Sequence, residues 1–299
     1  MNQDIKKFVE TLGEVLGDKL PDCHLEPQDT LKDNGIHFHS IVIRKEGSLI
    51  APAIHVDEYF ERYNSGSEVL DSIVKDILDQ YSEGLKQQKP FEGIDFDILL
   101  SAYENVKDRI FMRFLNRDEN EELLKKIPYV TYAGDIVIVF KIAMQQDAES
   151  VASAYVTNDF LSQWKVDASV VLSDALENAN SQGFRFVSLK DMMEEMTGAD
   201  LSDGLDMEFP MFVLSNCTGI NGAVAIAYAA KQIWERLGVN YYVIPSSIHE
   251  VLIIPETADI TPEYMKEMIE SANATAVTKA DFLSNELYYY DEEKGIRVA

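Results

Sequence analysis

The chain has 299 residues, of which 26 are Lys or Arg and 52 are Asp or Glu, for a formal charge of −26. Apolar residues make up 46% and mean hydropathy is −0.14, so the chain can bury a core and is not a disordered acidic tail. The acidity argues against direct binding to nucleic-acid phosphates or anionic lipid, and no apolar run reaches the roughly 18–20 residues that span a bilayer.

The opening MNQDIKKFVETLGEVLG has acids inside its apolar spacing and no small-residue cleavage site, unlike a signal peptide. Cys23 and Cys217 are isolated, in no CxxC or zinc spacing. A cytoplasmic protein without disulfides is therefore expected.

Ile5, Phe8, Val9, Leu12, Val15 and Leu16 recur at three and four, the signature of a helix with one buried face. Asn34-Gly35 marks a turn, with strands expected over Ile36–Lys45 and Ser48–Ile54. Helices are expected over His55–Tyr63, Ser67–Leu85, Asp95–Leu115 and Asn120–Lys126. On the long 95–115 helix, Arg109 and Arg113 would continue to Arg117 as a basic stripe, with Glu104 and Asp108 as ion-pair partners.

Tyr129–Met144 reads as a hairpin turning at Ala133-Gly134-Asp135, and its apolar run Ile136–Ile142 suits a strand buried on both faces. Asn158 or Asp159 would cap a short helix containing Trp164, and Ala168–Asn180 forms another helix. Strands are expected at Phe184–Val187, Pro210–Leu214, Tyr241–Ile244 and Val251–Ile254, with helices at Ala223–Leu237 and Thr261–Asn273. Glu286–Tyr290 and Ile296–Val298 make a final hairpin.

The irregular order of helices and hairpins gives an α+β fold: mixed, largely antiparallel sheets with packed helices and one βαβ unit in the C-terminal half, from Pro210 to Ile244. The expected domains are 1–117 and 118–299.

Two segments carry chemistry. Ser246, Ser247, His249 and Glu250 place hydroxyl, imidazole and carboxylate between two strands, the parts of a nucleophile–base relay. Ser247 and His249 would share a strand face while Glu250 points away, and the bland reading is a turn whose hydroxyls bond backbone. The loop Asn216-Cys217-Thr218-Gly219-Ile220-Asn221-Gly222, between a strand and a helix, offers backbone amides for an anion and a helix dipole that would activate the Cys217 thiol. Its bland reading is a helix start capped by Asn221 with a structural cysteine. Neither Walker A nor GxGxxG occurs, and no cofactor is expected. His37, His39 and His55 could meet on a sheet, but no Cys or carboxylate spacing supports a metal site.

Charge is spread evenly, −12 over residues 1–150 and −14 over 151–299. From Asp191 to Ala230 there is no Lys or Arg, while Asp200, Asp203, Asp206 and Glu208 lie among Met192, Met193, Met196, Met207 and Met211. Acid with flexible methionine suits a surface that receives a basic protein partner; the bland reading is a solvated loop over a methionine core.

Several scattered pieces carry a resemblance. They are Asn34-Gly35; Pro52 with Tyr59, Tyr63 and Gly66; Val156-Thr157 with Trp164, Ala175 and Asn178; Asn216 with Gly222-Ala223; Pro245-Ser246-Ser247-Ile248-His249-Glu250; and Leu283-Ser284 with Tyr288 and Tyr290. Together they resemble an uncharacterised Firmicutes family, domain of unknown function 5688, and more distantly the family that includes YtpQ. That resemblance implies a common fold, no assigned activity, and a frequent setting on mobile elements of gut bacteria. The leading functional expectation is a non-catalytic interaction or regulatory protein that binds a basic partner, in one form a nucleic-acid mimic. The alternative is a small hydrolase or transferase centred on Ser247, His249 and Cys217.

Overall fold

A computed structural model describes residues 3–46, 51–87, 95–146, 151–198 and 209–299. The chain forms two compact units, Met1–Ile94 and Asp95–Ala299. A division after residue 117 would separate the strand Ile110–Asn116 from Ile136–Gln146, with which it pairs along its whole length. The chain therefore divides between 94 and 95 instead.

In the first unit, α1 (Gln3–Lys19), α2 (Asp57–Asn64) and α3 (Leu70–Gln87) accompany an antiparallel sheet of β1 (Cys23–Leu31), β2 (His37–Lys45) and β3 (Ala53–His55), in that order. Strand β1 was not expected from its polar sequence CHLEPQDTL; it is held by nine residue pairs with β2. Asn34 and Gly35, with φ of 55° and 64°, make the β1–β2 turn, and these two residue types accept the left-handed conformation at low cost. Phe8, Leu12 and Leu16 of α1 are buried in one cluster with Ile41 and Ile43 of β2 and Ile73 and Ile77 of α3. Each such side chain contributes roughly 1.5–3 kcal/mol by leaving water.

The second unit contains two sheets. The first is built on β6 (Ile136–Gln146): β4 (Ile110–Asn116) pairs one edge, while β5 (Tyr129–Ala133) and β7 (Val151–Tyr155) pair its two ends on the other. Both faces of β6 are buried: Ile136, Ile138, Phe140 and Ile142 join the main core, and Val137 and Val139 pack with Leu115, Leu123 and Ile127. The second sheet runs β13-β12-β10-β11-β9-β8, all neighbours antiparallel. Its strands are β8 (Phe184–Ser188), β9 (Phe212–Asn216), β10 (Tyr241–Ile244), β11 (Val251–Pro255), β12 (Tyr288–Asp291) and β13 (Gly295–Val298). Among the described residues all three sheets of the chain are antiparallel, with packed helices, which is an α+β fold.

The expected βαβ unit takes a split form. Strands β9 and β10, joined by a helix over Ile226–Leu237, both run antiparallel to β11, which lies between them; they are parallel to each other without touching.

The long helix expected over Asp95–Leu115 does not form. A helix occupies only Phe96–Leu100 (α4), followed by two 3-10 turns and then β4. Asn178 Nδ2 donates to the carbonyls of Lys107 (2.8 Å) and Ile110 (3.0 Å), and Tyr103 OH donates to Asp174 (2.6 Å). These contacts hold the chain away from a helical path. The Arg109, Arg113 and Arg117 stripe is thus spread along β4 and its two ends.

The remaining helices are α5 (Glu121–Leu124), α6 (Asn158–Trp164), α7 (Ala168–Gln182), α8 (Leu189–Thr197), α9 (Ile226–Leu237) and α10 (Pro262–Thr275). The cap of α6 is Thr157, whose Oγ1 accepts from Phe160 N at 3.2 Å, rather than Asn158 or Asp159. Helix α8 lies where a solvated loop was the bland expectation, and Ser188 caps it by accepting from Asp191 N at 3.0 Å. No helix among the described residues is long and apolar enough to cross a membrane.

Candidate functional site

The two chemistry-bearing segments meet at the end of β9. The loop Asn216–Gly222 folds on itself: Asn216 Nδ2 donates to Ile220 O (2.9 Å), Thr218 Oγ1 to Asn216 Oδ1 (3.0 Å), and Ile220 N to Thr218 Oγ1 (3.3 Å). Gly219 and Asn221, with φ of 70° and 52°, turn the chain into a buried 3-10 turn, Gly222–Ala225, ahead of α9. Asn221 therefore serves through its backbone conformation; its side chain makes no cap hydrogen bond. At Gly222 a Cβ would stand 1.9 Å from Ser215 Oγ and 2.5 Å from His249 O, so only glycine fits.

The segment Ser246–Glu250 closes over this loop. Ser215 Oγ donates to His249 O (2.8 Å), Asn221 N to His249 Nδ1 (3.3 Å), and Ala223 N to Ile248 O (3.2 Å). Of the amides expected to hold an anion, Asn221 N is engaged by the β10–β11 turn, and Gly219 N and Ile220 N are engaged within the loop by Asn216 O and Thr218 Oγ1. With Nδ1 accepting, the His249 proton is assigned to Nε2, which faces Asp281 Oδ1 at 3.4 Å. Ser247 Oγ donates to Glu250 Oε1 (3.2 Å) and accepts from His249 N (3.0 Å), and Ser246 Oγ also points to Glu250 (3.4 Å). Ser247 is therefore bonded to the His249 backbone and the Glu250 carboxylate, and not to the imidazole. Asp281 was missed in the sequence because it lies 32 residues downstream with no local pattern to link it to His249.

Cys217 is exposed and lines a cavity of about 200 Å³ with Arg185, Met192 and Glu250, a lining that does not include His249. Arg185 is paired with Glu195 of α8. Burial, with the nearby Cys217 adding to it, pushes the Tyr228 phenol up to about 12, and its OH donates to Gly183 O at 3.1 Å.

On the far side of the loop a second cavity, about 90 Å³, opens between β4, α7 and α9. Asp108, Arg109, Asn178 and Gln182 line it, with Asn216 and Thr218 contributed by the loop, over apolar Met112, Ile220 and Val224. None of its residues outside the loop was singled out as a binding residue in the sequence, since they come from three distant stretches.

The first-unit histidines take separate partners: His37 faces Asp29 (3.4 Å), His39 Nδ1 meets Asp57 (2.6 Å), and His55 Nδ1 meets Ser40 Oγ (2.9 Å). Burial, then Lys32, lowers the His55 pKa from its ordinary value. Among the described residues no three His, Cys, Asp or Glu side chains group to hold a metal ion. Asp200, Asp203, Asp206 and Glu208 lie outside the described residues.

Several of the resemblance residues, Trp164, Asn178, Ser284 and Tyr288, fall at joints of the second unit. Trp164 Nε1 bonds Leu100 O (2.8 Å), Asn178 bonds the two carbonyls before β4, and Ser284 and Tyr288 both donate to Asp135. No curated protein and no solved structure matches the chain. The model of one family, the family of unknown function DUF5688, matches residues 5–292, and the chain belongs to that family.

Proposed function

We propose that this is a non-catalytic interaction protein that engages a cationic protein partner through the acidic surface of α8 and the Asp200–Glu208 segment that follows it. The observation that carries this reading is Met196, 77% exposed on a nine-residue helix whose solvent side also presents Asp191 and Glu195. An apolar, flexible side chain held in water among carboxylates fits a contact with a partner that is itself apolar at its centre and basic at its rim. The internal bonding of Ser247 and His249 supports the same reading, since Ser247 is engaged by Glu250 and the His249 imidazole by the Asn221 amide and Asp281. A nucleic-acid mimic is the specific form in which the partner's basic surface is one that otherwise binds DNA.

The test is capture from host lysate at low salt, followed by titration with the purified partner. Wild type should bind with an affinity that falls steeply with salt. Asp200/Asp203/Asp206→Asn and, separately, Met196→Lys should each lose the complex. Binding that ignores both salt and these changes overturns the reading.

A hydrolase or transferase on Ser247, His249 and Cys217 has one observation in its favour, that the 216–222 loop and the 246–250 turn are in contact. Its test is labelling with serine- and thiol-reactive probes; hyper-reactivity lost in His249→Ala would favour it.

A further inference from the structure

We infer that the 90 Å³ cavity between β4, α7 and the 216–222 loop is a binding site for a small zwitterion, an apolar α-amino acid. Opposite charges stand side by side at its lining, Asp108 and Arg109, both exposed. Among the described residues Arg109 has no carboxylate partner; Nη1 reaches only Met144 O, at 3.5 Å, too long for a strong hydrogen bond. A guanidinium is the best side-chain receptor for a carboxylate, and a carboxylate beside it receives an ammonium group.

Beside the charged pair the lining includes apolar Ile110, Met112, Val224 and Ile220, of which the first three are buried and so lie away from solvent. A dry apolar cavity of about 150 Å³ admits benzene, six carbons. The smaller volume here therefore suits an aliphatic side chain of about three or four carbons, with the charged end of the ligand at the mouth. The walls are fixed in advance. Asn178 is anchored on two carbonyls, and Asn216 and Thr218 are bonded within their own loop, so little ordering cost falls on binding. This site is separate from the acidic surface of α8 and does not depend on that surface binding a partner.

The test uses the full chain and NMR or calorimetric titration with L-valine and L-leucine. Isovalerate, which lacks the ammonium group, and isobutylamine, which lacks the carboxylate, serve as controls. Saturable binding of at least one amino acid below about 10 mM is expected, with both controls about tenfold weaker or worse. Arg109→Gln should weaken the amino acid by about tenfold or more, and Asp108→Asn should weaken it while leaving isovalerate unchanged. Both substitutions are at exposed positions, and Arg117→Gln, outside the cavity, should bind as wild type. No saturable binding by either amino acid, isovalerate binding as tightly as leucine, or indifference to Arg109→Gln would each overturn the assignment.

Discussion

The phenol of Tyr288, in β12, donates a hydrogen bond to Asp135, 153 residues earlier in the turn between β5 and β6. Ser284 Oγ donates to the same oxygen (2.7 Å), and Asn116 Nδ2 donates to the other (2.8 Å) while also holding Leu283 O (3.0 Å). Ser284, Tyr288 and Asn116 are all buried, so one half-buried carboxylate fastens the two sheets of the second unit together.

Asp135→Ala leaves those three donors without their acceptor. Asn116 keeps Leu283 O, and Ser284 and Tyr288 keep each other at 3.2 Å, so the cost is that of the lost charge-assisted bonds, about 2–3 kcal/mol. The melting midpoint of the second unit should fall by roughly 5–10 °C by calorimetry, with Tyr288→Phe showing about half that effect.

Gly222→Ala should destabilise the second unit by about 1–3 kcal/mol, because the new methyl overlaps Ser215 Oγ and the His249 carbonyl. The cause is steric and not conformational, since Gly222 has no positive φ. Ser215→Ala in the same background should restore part of the loss by removing the nearest atom. Urea denaturation of the single and double variants checks this.

Alkali should unfold the second unit early. Burial holds the Tyr228 phenol near 12 and raises Tyr241 and Tyr288 further, with the Asp135 carboxylate adding to the effect at Tyr288. A group whose folded pKa lies above its unfolded value of about 10 stabilises fully below that pH and loses its contribution as pH rises toward the folded value. The share of phenolate absorbance that belongs to Tyr228, Tyr241 and Tyr288, read by difference from their Tyr→Phe variants, should therefore rise together with the loss of secondary structure above about pH 10.

Acid should weaken the first unit through His55. Its folded pKa lies below the ordinary 6.5, chiefly by burial, so the neutral ring's contribution is complete above 6.5 and is lost as pH falls below it. In thermal melts the wild type should lose stability over that window relative to His55→Gln, which carries no titrating group there.

What could be read in the sequence was whatever had a local period. Helix α1 followed from its apolar spacing, the turn before β2 from Asn34-Gly35, and the doubly buried β6 from an apolar run without alternation. Phe96, Leu99, Leu100 and Tyr103 have helical spacing too, yet the chain turns at 103–109 because Asn178 and Asp174, some 70 residues away, bind it there. Helix α8 did have a signal, the Ser188 cap with Leu189, Met192, Met193 and Met196 in helical register. At the candidate site, a reading centred on Ser247, His249 and Cys217 requires the 216–222 loop to meet the 246–250 turn, and the two are in contact. The bonds of His249 could not be read in the sequence, because Asp281 and the Asn221 amide reach it only through the fold.

The split arrangement of β9, β11 and β10 bears on how the protein is made. On the ribosome, the described strands and helices of the first unit have all emerged once residue 87 has. In the second, β9 and β10 stay apart until β11 arrives to join them, and the Asp135 anchor waits for residues 284 and 288. For nearly the whole time that this unit is being translated, the apolar faces of β4 and β6 lack the sheet that will cover them. The nascent chain thus has one finished domain and one that must be kept from aggregating until its last strands appear.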